Sequence, residues 1–265
     1  MKMKKIATIV FLSLLGIGVL TILIVANTTN KKVLAKKPTI SIHVNGENAF
    51  LTKNELLDRL MLKKLFWRGC RMEEINLKKI ENYIAQMEEI KQVRVFKNID
   101  NSWNIKIELR KPIARIFSLT QKSYYLDDEG VTISKSYLHS ARLLVVSGYI
   151  NEPLRKMTVK EFINNDSLKS IRKLDDIYRI SNYVCTDPFF RDLISQVYLE
   201  KNGDFLLIPL LGSQTILFGA ANSDKEVKDK FTRLKIFYLE AMPQVGWAKY
   251  STIIVKYDGQ IVGRK

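Results

Sequence analysis

The chain has 265 residues, of which 46% are hydrophobic and 26% charged, with 12 Gly, 6 Pro, two Cys and two His. This composition excludes a disordered chain, a collagen-like repeat and a disulfide-stapled miniprotein, and the length allows one or two domains. Lys and Arg number 43 against 27 Asp and Glu, a formal net charge of +16, yet residues 1–37 hold seven of the Lys and no acid, so nearly half of the excess is N-terminal.

That basic N-terminus surrounds an apolar segment. Ile6 to Ala26 is 21 residues without a charge, fourteen of them Ile, Val, Leu or Phe. As a helix it would span about 31 Å, the thickness of a bilayer core. A cleaved signal peptide has a shorter apolar core and small residues at its cleavage site, and Val25-Ala26-Asn27 fits that pattern poorly. The segment therefore reads as an uncleaved transmembrane helix. Residues 1–5 are then a cytoplasmic leader and 27–37 a juxtamembrane tether, with the bulk of the chain outside. Lys residues flank both ends, so the placement of the large C-terminal part decides the orientation rather than the charge rule. A nucleic-acid reading of the net charge loses its ground, and the other cations, among them Lys106, Arg110, Lys111, Arg115, Lys228 and Lys235, are expected on solvated faces.

Behind the tether, Thr39–Val44 alternates with period two and ends at Asn45-Gly46, a strand and a turn. Thr52 and Glu55 have the spacing of a capping box and predict a helix through Leu60, with Leu56, Leu57 and Leu60 inward. A second helix is expected over Asn76–Met87, where Leu77, Ile80, Ile84 and Met87 recur every three or four residues. Between the two, Trp67-Arg68-Gly69-Cys70-Arg71 is aromatic and basic; it either packs under a loop or meets headgroups or peptide. Strands follow at Gln92–Lys97 and Trp103–Leu109, the second with Trp103, Ile105, Ile107 and Leu109 on one face.

The order strand, helix, helix, strand, strand resembles a POTRA domain, expected over 38–110. The run Arg110-Lys111-Pro112-Ile113-Ala114-Arg115, leading into Tyr124-Tyr125-Leu126-Asp127-Asp128-Glu129-Gly130-Val131, resembles the junction of the FtsQ/DivIB cell-division family. Here Pro112 is expected to stop a helix or a central strand from forming at the boundary, Asp128-Glu129-Gly130 to turn tightly between Ser123–Asp127 and Val131–Ser134, and Asp127-Asp128-Glu129 to lie at an exposed hairpin tip.

Residues 111–265 read as a mixed β domain with flanking helices. Leu143–Ser147 is a strand, Leu168–Tyr183 a helix closed by Asp187-Pro188-Phe189-Phe190, and Ile194–Glu200, Asp204–Pro209 and Thr215–Phe218 a β-meander. Ser223 and Glu226 cap a helix with the stripe Val227, Phe231, Leu234, Tyr238 and Met242, and Ile253–Tyr257 and Gln260–Gly263 end the chain as strands. Asp187-Pro188-Phe189-Phe190, Gln196-Val197-Tyr198, Gly246-Trp247, Tyr250-Ser251-Thr252-Ile253 and Gln260-Ile261-Val262 resemble the Bacteroidetes-type branch of FtsQ. The expected fold class is α+β, with a transmembrane helix, a POTRA domain and a mixed β domain.

Catalytic groups are sparse. His43 and His139 lie far apart, Cys185 ends a helix, and neither a metal site, a cofactor, a nucleophile elbow nor a phosphate loop is indicated, so no enzyme activity is expected. A Cys70–Cys185 bridge is left open. The last two strands leave a sheet edge that can accept a partner strand, with Ile253, Val255, Tyr257 and Ile261 as side-chain contacts. The family resemblance implies FtsB-like and FtsL-like single-pass division proteins as partners there, with Tyr257, Gly259, Ile261 and Gly263 as the counterparts of the binding strand. It also implies a location in the bacterial inner membrane at the septum, and no nucleic-acid or small-molecule partner. The alternative is a POTRA-type envelope assembly or chaperone protein.

Overall fold

The computed structural model describes residues 11–22, 34–44, 51–120, 123–134, 143–151 and 173–265. Residues 11–22 form helix α1 with outward side chains; the rest of the expected span Ile6–Ala26 lies outside the described residues. Among the described residues no helix is long and apolar enough to cross a membrane. The chain divides into two compact units, Met1–His43 with Leu51–Leu109, and Val44–Phe50 with Arg110–Lys265.

In the first unit β1 (Thr39–His43), β2 (Ile90–Lys97) and β3 (Trp103–Leu109) form a sheet in the order β1-β3-β2, with β1 parallel and β2 antiparallel to the central strand. The alternation of β3 is realised: Trp103, Ile105, Ile107 and Leu109 are all buried. Helix α2 (Lys53–Leu62) starts where Thr52 Oγ1 accepts from the Glu55 N–H at 3.2 Å. The reciprocal leg of the capping box is not made. Glu55 instead pairs at 2.5 Å with Arg59, which also reaches Glu89 at 2.6 Å and so ties α2 to the start of β2. Asn76 caps α3 (Leu77–Ala85) through the Lys79 N–H, and Ile80 and Ile84 of that helix are fully buried. Truncating either to Ala costs about 2–5 kcal/mol.

The second unit is built on nine strands. They are β4 (Pro112–Phe117), β5 (Ser123–Asp127), β6 (Thr132–Ser134), β7 (Leu144–Gly148), β8 (Ile194–Leu199), β9 (Phe205–Pro209), β10 (Thr215–Gly219), β11 (Thr252–Ile254) and β12 (Val262–Arg264). Their order is β12-β11-β10-β9-β8-β7-β4-β5-β6. The meander β8-β9-β10 is antiparallel, whereas β4/β7, β7/β8 and β10/β11 pair in parallel. Pro112 corrects one expectation: it opens β4, an interior strand, instead of stopping one from forming, because a first strand residue can do without its N–H. Asp187-Pro188-Phe189-Phe190 closes a helix as expected, and it also starts the next one. Helix α4 (Leu174–Thr186) ends there, and Asp187 Oδ1 caps α5 (Pro188–Leu193) by accepting from the Phe189 N–H at 2.9 Å. The first residues of the expected Leu168–Tyr183 helix and His139 lie outside the described residues.

Asp127 is not at an exposed tip. It is fully buried, accepting from the Val131 and Glu129 N–H groups and from Arg110 at 2.8 Å, and Glu129 takes the same guanidinium at 3.1 Å. Burial pushes its carboxyl above the ordinary range despite those donors. Arg110, expected on a solvated face, therefore holds the first hairpin of this unit. Lys235 is likewise paired, at 2.9 Å from Asp187.

Helix α6 (Asp224–Ile236), capped by Ser223 Oγ on the Glu226 N–H, continues through a π-turn at Phe237–Ala241 into α7 (Met242–Val245). The predicted stripe Val227, Phe231, Leu234, Tyr238 and Met242 is buried. Phe231 stacks on Tyr183 at 4.5 Å and meets Phe190 and Phe218 at 4.7 and 4.9 Å, an aromatic centre between helices and sheet. Both cysteines are free, Cys70 buried and Cys185 half-buried.

Candidate functional site

The terminal strand β12 pairs with β11 on one side and is the last strand of its sheet. The register is Thr252 opposite Arg264, Ile253 opposite Gly263 and Ile254 opposite Val262. All three β12 residues are exposed. Among the described residues no side chain accepts from the β12 amides, so the outer side of the strand offers backbone donors and acceptors without a partner strand.

The six predicted contact residues divide into two groups. Ile253 and Val255 are fully buried and belong to the central core, so they are not side-chain contacts from this edge. For Ile253 the reason is that β11 lies inside the sheet and is covered on both faces, with Ile254 also only 7% exposed; Val255, just past β11, is held to β10 by its N–H on the Leu217 carbonyl at 3.0 Å and packs into the same core. Tyr257 is half exposed, Gly259 and Gly263 are exposed, and Ile261 is partly buried against the same core. Gly259 turns the chain between the strands with φ +68°, a conformation that a side chain disfavours.

Arg233, which pattern reading did not single out, and Tyr250, which entered there only within a segment of family resemblance, hold the edge in place. Arg233 of α6 donates from Nη2 to the Val255 and Tyr257 carbonyls at 3.3 and 3.1 Å, and from Nη1 to Asp258 at 3.2 Å. It thereby fixes the connection that delivers β12. Tyr250 lies across Gly263, where an added Cβ would come within 2.6 Å of the ring, and packs toward Phe237 at 6.3 Å between ring centres. Gly263 is thus required by a close approach, and Ser251 anchors the strand end through its N–H on the Arg264 carbonyl at 2.8 Å. Lys256 leaves the same connection to pair with Asp204 at 2.6 Å, which raises its pKa, chiefly through that hydrogen bond. The π-turn leaves Leu239 exposed and α6 leaves Ile236 exposed.

A family model described as FtsQ/DivIB, C-terminal related matches residues 111–264, more than half of the chain. The chain belongs to the FtsQ/DivIB family. A second model, described as a POTRA-like domain, matches residues 34–108. The family match covers all nine strands of the second unit, including β12, and the POTRA-like match covers the strand, helix, helix, strand, strand order before them up to residue 108. No curated protein matches the sequence significantly.

Proposed function

We propose that this FtsQ/DivIB-family chain is a non-enzymatic, single-pass membrane scaffold of the bacterial divisome. Ile6–Ala26 anchors it in the cytoplasmic membrane with residues 1–5 inside, and the POTRA and β domains, 38–110 and 111–265, recruit division proteins at the septum. The outer backbone of β12 accepts a strand from FtsB-like and FtsL-like single-pass partners. Tyr257 stands at the turn that leads into this strand, and Ile261 and Val262 supply apolar contacts along it.

The observation that carries this reading is the open terminal strand held by Arg233 and Tyr250. Strand addition draws affinity from main-chain hydrogen bonds and specificity from alternate side chains, so a fixed edge with Tyr257 and Val262 exposed is suited to it. The 21 uncharged residues of Ile6–Ala26 support the anchor.

Co-purification of detergent-solubilised full-length protein with an FtsB/FtsL-like complex tests the edge. Tyr257→Lys and Val262→Lys should each abolish retention while circular dichroism stays native, and wild-type retention in both would refute the site. Ile261→Lys should lose retention too, with some loss of stability because that side chain also touches the core.

A further inference from the structure

The aromatic and basic segment at 67–71 is not used by the partner edge, and its placement in the POTRA-like unit points elsewhere. Helix α2 ends at Leu62; Leu65 and Phe66 then turn inward, while Met61, Leu62, Lys63, Lys64, Trp67 and Arg68 face solvent. Leu62 is 82% exposed and Trp67 42%. The chain arriving from the N-terminal side is fastened to this same surface. The Ala35 N–H donates to the Cys70 carbonyl at 2.8 Å, Leu34 bridges Arg71, and the Lys36 carbonyl accepts from Trp103 Nε1 at 2.8 Å. Lys37 and Arg68 line one depression of about 320 Å³ together with Leu57, Asp58, Met61 and Phe66.

We propose that this surface is a docking face for the anionic headgroups of the bilayer in which the chain is anchored. The inference rests on the membrane-anchor reading of Ile6–Ala26. From Ala26 to Leu34 there are eight steps of chain, which reach at most about 28 Å even when fully extended. The fastening point at Leu34–Lys36 is therefore held close to the lipid surface, and residues 61–71 are held with it. Charge is complementary: Lys37, Lys63, Lys64 and Arg68 make no ion pair among the described residues, and only Arg71 is paired, with Glu73 at 3.7 Å. Each cation at an anionic surface strengthens binding about fivefold at moderate ionic strength. Trp67 and Leu62 add the apolar groups that settle among headgroups, Trp in particular being an interfacial residue. Lys64 adopts φ 54°, a left-handed conformation in which Gly or Asn sits more easily. A lysine at this position supplies charge at the cost of local backbone comfort.

The test uses full-length protein in vesicles whose headgroups carry a nitroxide quencher, either zwitterionic or containing phosphatidylglycerol. Quenching of tryptophan emission should be at least about twofold stronger in the anionic vesicles. That increment should vanish in Trp67→Phe, in high salt, and in the triple variant Lys63→Glu, Lys64→Glu, Arg68→Glu. Equal quenching in both lipids, or an increment that survives Trp67→Phe, overturns the proposal. Protection of Trp67 that instead requires an added division protein, whatever the lipid, assigns the surface to a protein and also overturns it. Flotation with the vesicles after an alkaline carbonate wash reads the anchor separately. Protein that floats without lipid-dependent quenching defeats the docking face alone, whereas protein that fails to float defeats the anchor reading and the docking face with it.

Discussion

Two strand edges of this chain have opposite designs. The β2 edge of the POTRA-like unit is eight residues long and is defended. Lys91, Arg94 and Lys97 are exposed along it, and the Val95 N–H, which points away from β3, is taken at 2.9 Å by Glu81 of α3. The β12 edge is three residues long, and no side chain among the described residues covers its amides. A long edge with charges and a carboxylate plug resists accidental pairing, and a short edge braced from behind can be left open without inviting aggregation. Length is therefore a poor guide to which edge is left open. The contrast also weighs against envelope assembly or chaperoning through β2, because an extended client would have to displace Glu81.

The largest effect should come from removing the close approach that seats β12. In Gly263→Val the new side chain collides with the Tyr250 ring, and partner affinity should fall about 100-fold, measured by surface plasmon resonance against an FtsB/FtsL-like complex. Arg233→Ala removes the brace on the Val255, Tyr257 and Asp258 connection, leaving two carbonyls without their charged donor. It should lower the stability of the unit by about 1–3 kcal/mol in urea unfolding, with a partial loss of binding. An unchanged midpoint would mean that the edge is not held from α6.

On the other side of the contrast, Glu81→Ala should unplug β2 and make the protein self-associate with rising concentration, read by sedimentation velocity. A purely monomeric variant would show that the lysines and arginine defend the edge unaided. The smallest effect concerns pH. The Lys78 ammonium, and after it the Val95 N–H, hold the Glu81 carboxyl below its ordinary range. Its native-state value lies below its unfolded one, so its contribution is present at neutral pH and is lost as pH falls through the depressed value. The Val95 amide shift should inflect below the usual glutamate range, and an inflection at or above that range would contradict the plug.

Much of this was legible from residue pattern, and the exceptions share a cause. The POTRA-like elements repeat with periods of two or 3.6, and their caps are local: Thr52 with Glu55, Asn76 with Lys79. The meander and the Val227 to Met242 stripe were readable for the same reason. Pro112 misled because proline breaks an element in its interior but suits a strand's first residue, and only the neighbouring residues decide which applies. Ile253 and Val255 misled because alternation tells which residues share a face, not whether that face is covered; β11 is covered on both, and Val255 just past it packs into the same core. Arg233 and Glu81 were invisible, since the atoms they hold lie 22 or more residues away for Arg233 and 14 for Glu81.

The most direct test of the open-edge account is photocrosslinking in dividing cells that carry the full-length chain. A benzophenone amino acid is placed at Val262 on β12 in one strain and at Gln92 on β2 in another. The account predicts that a single-pass division protein is captured from Val262 and not from Gln92; capture from Gln92 alone would contradict it.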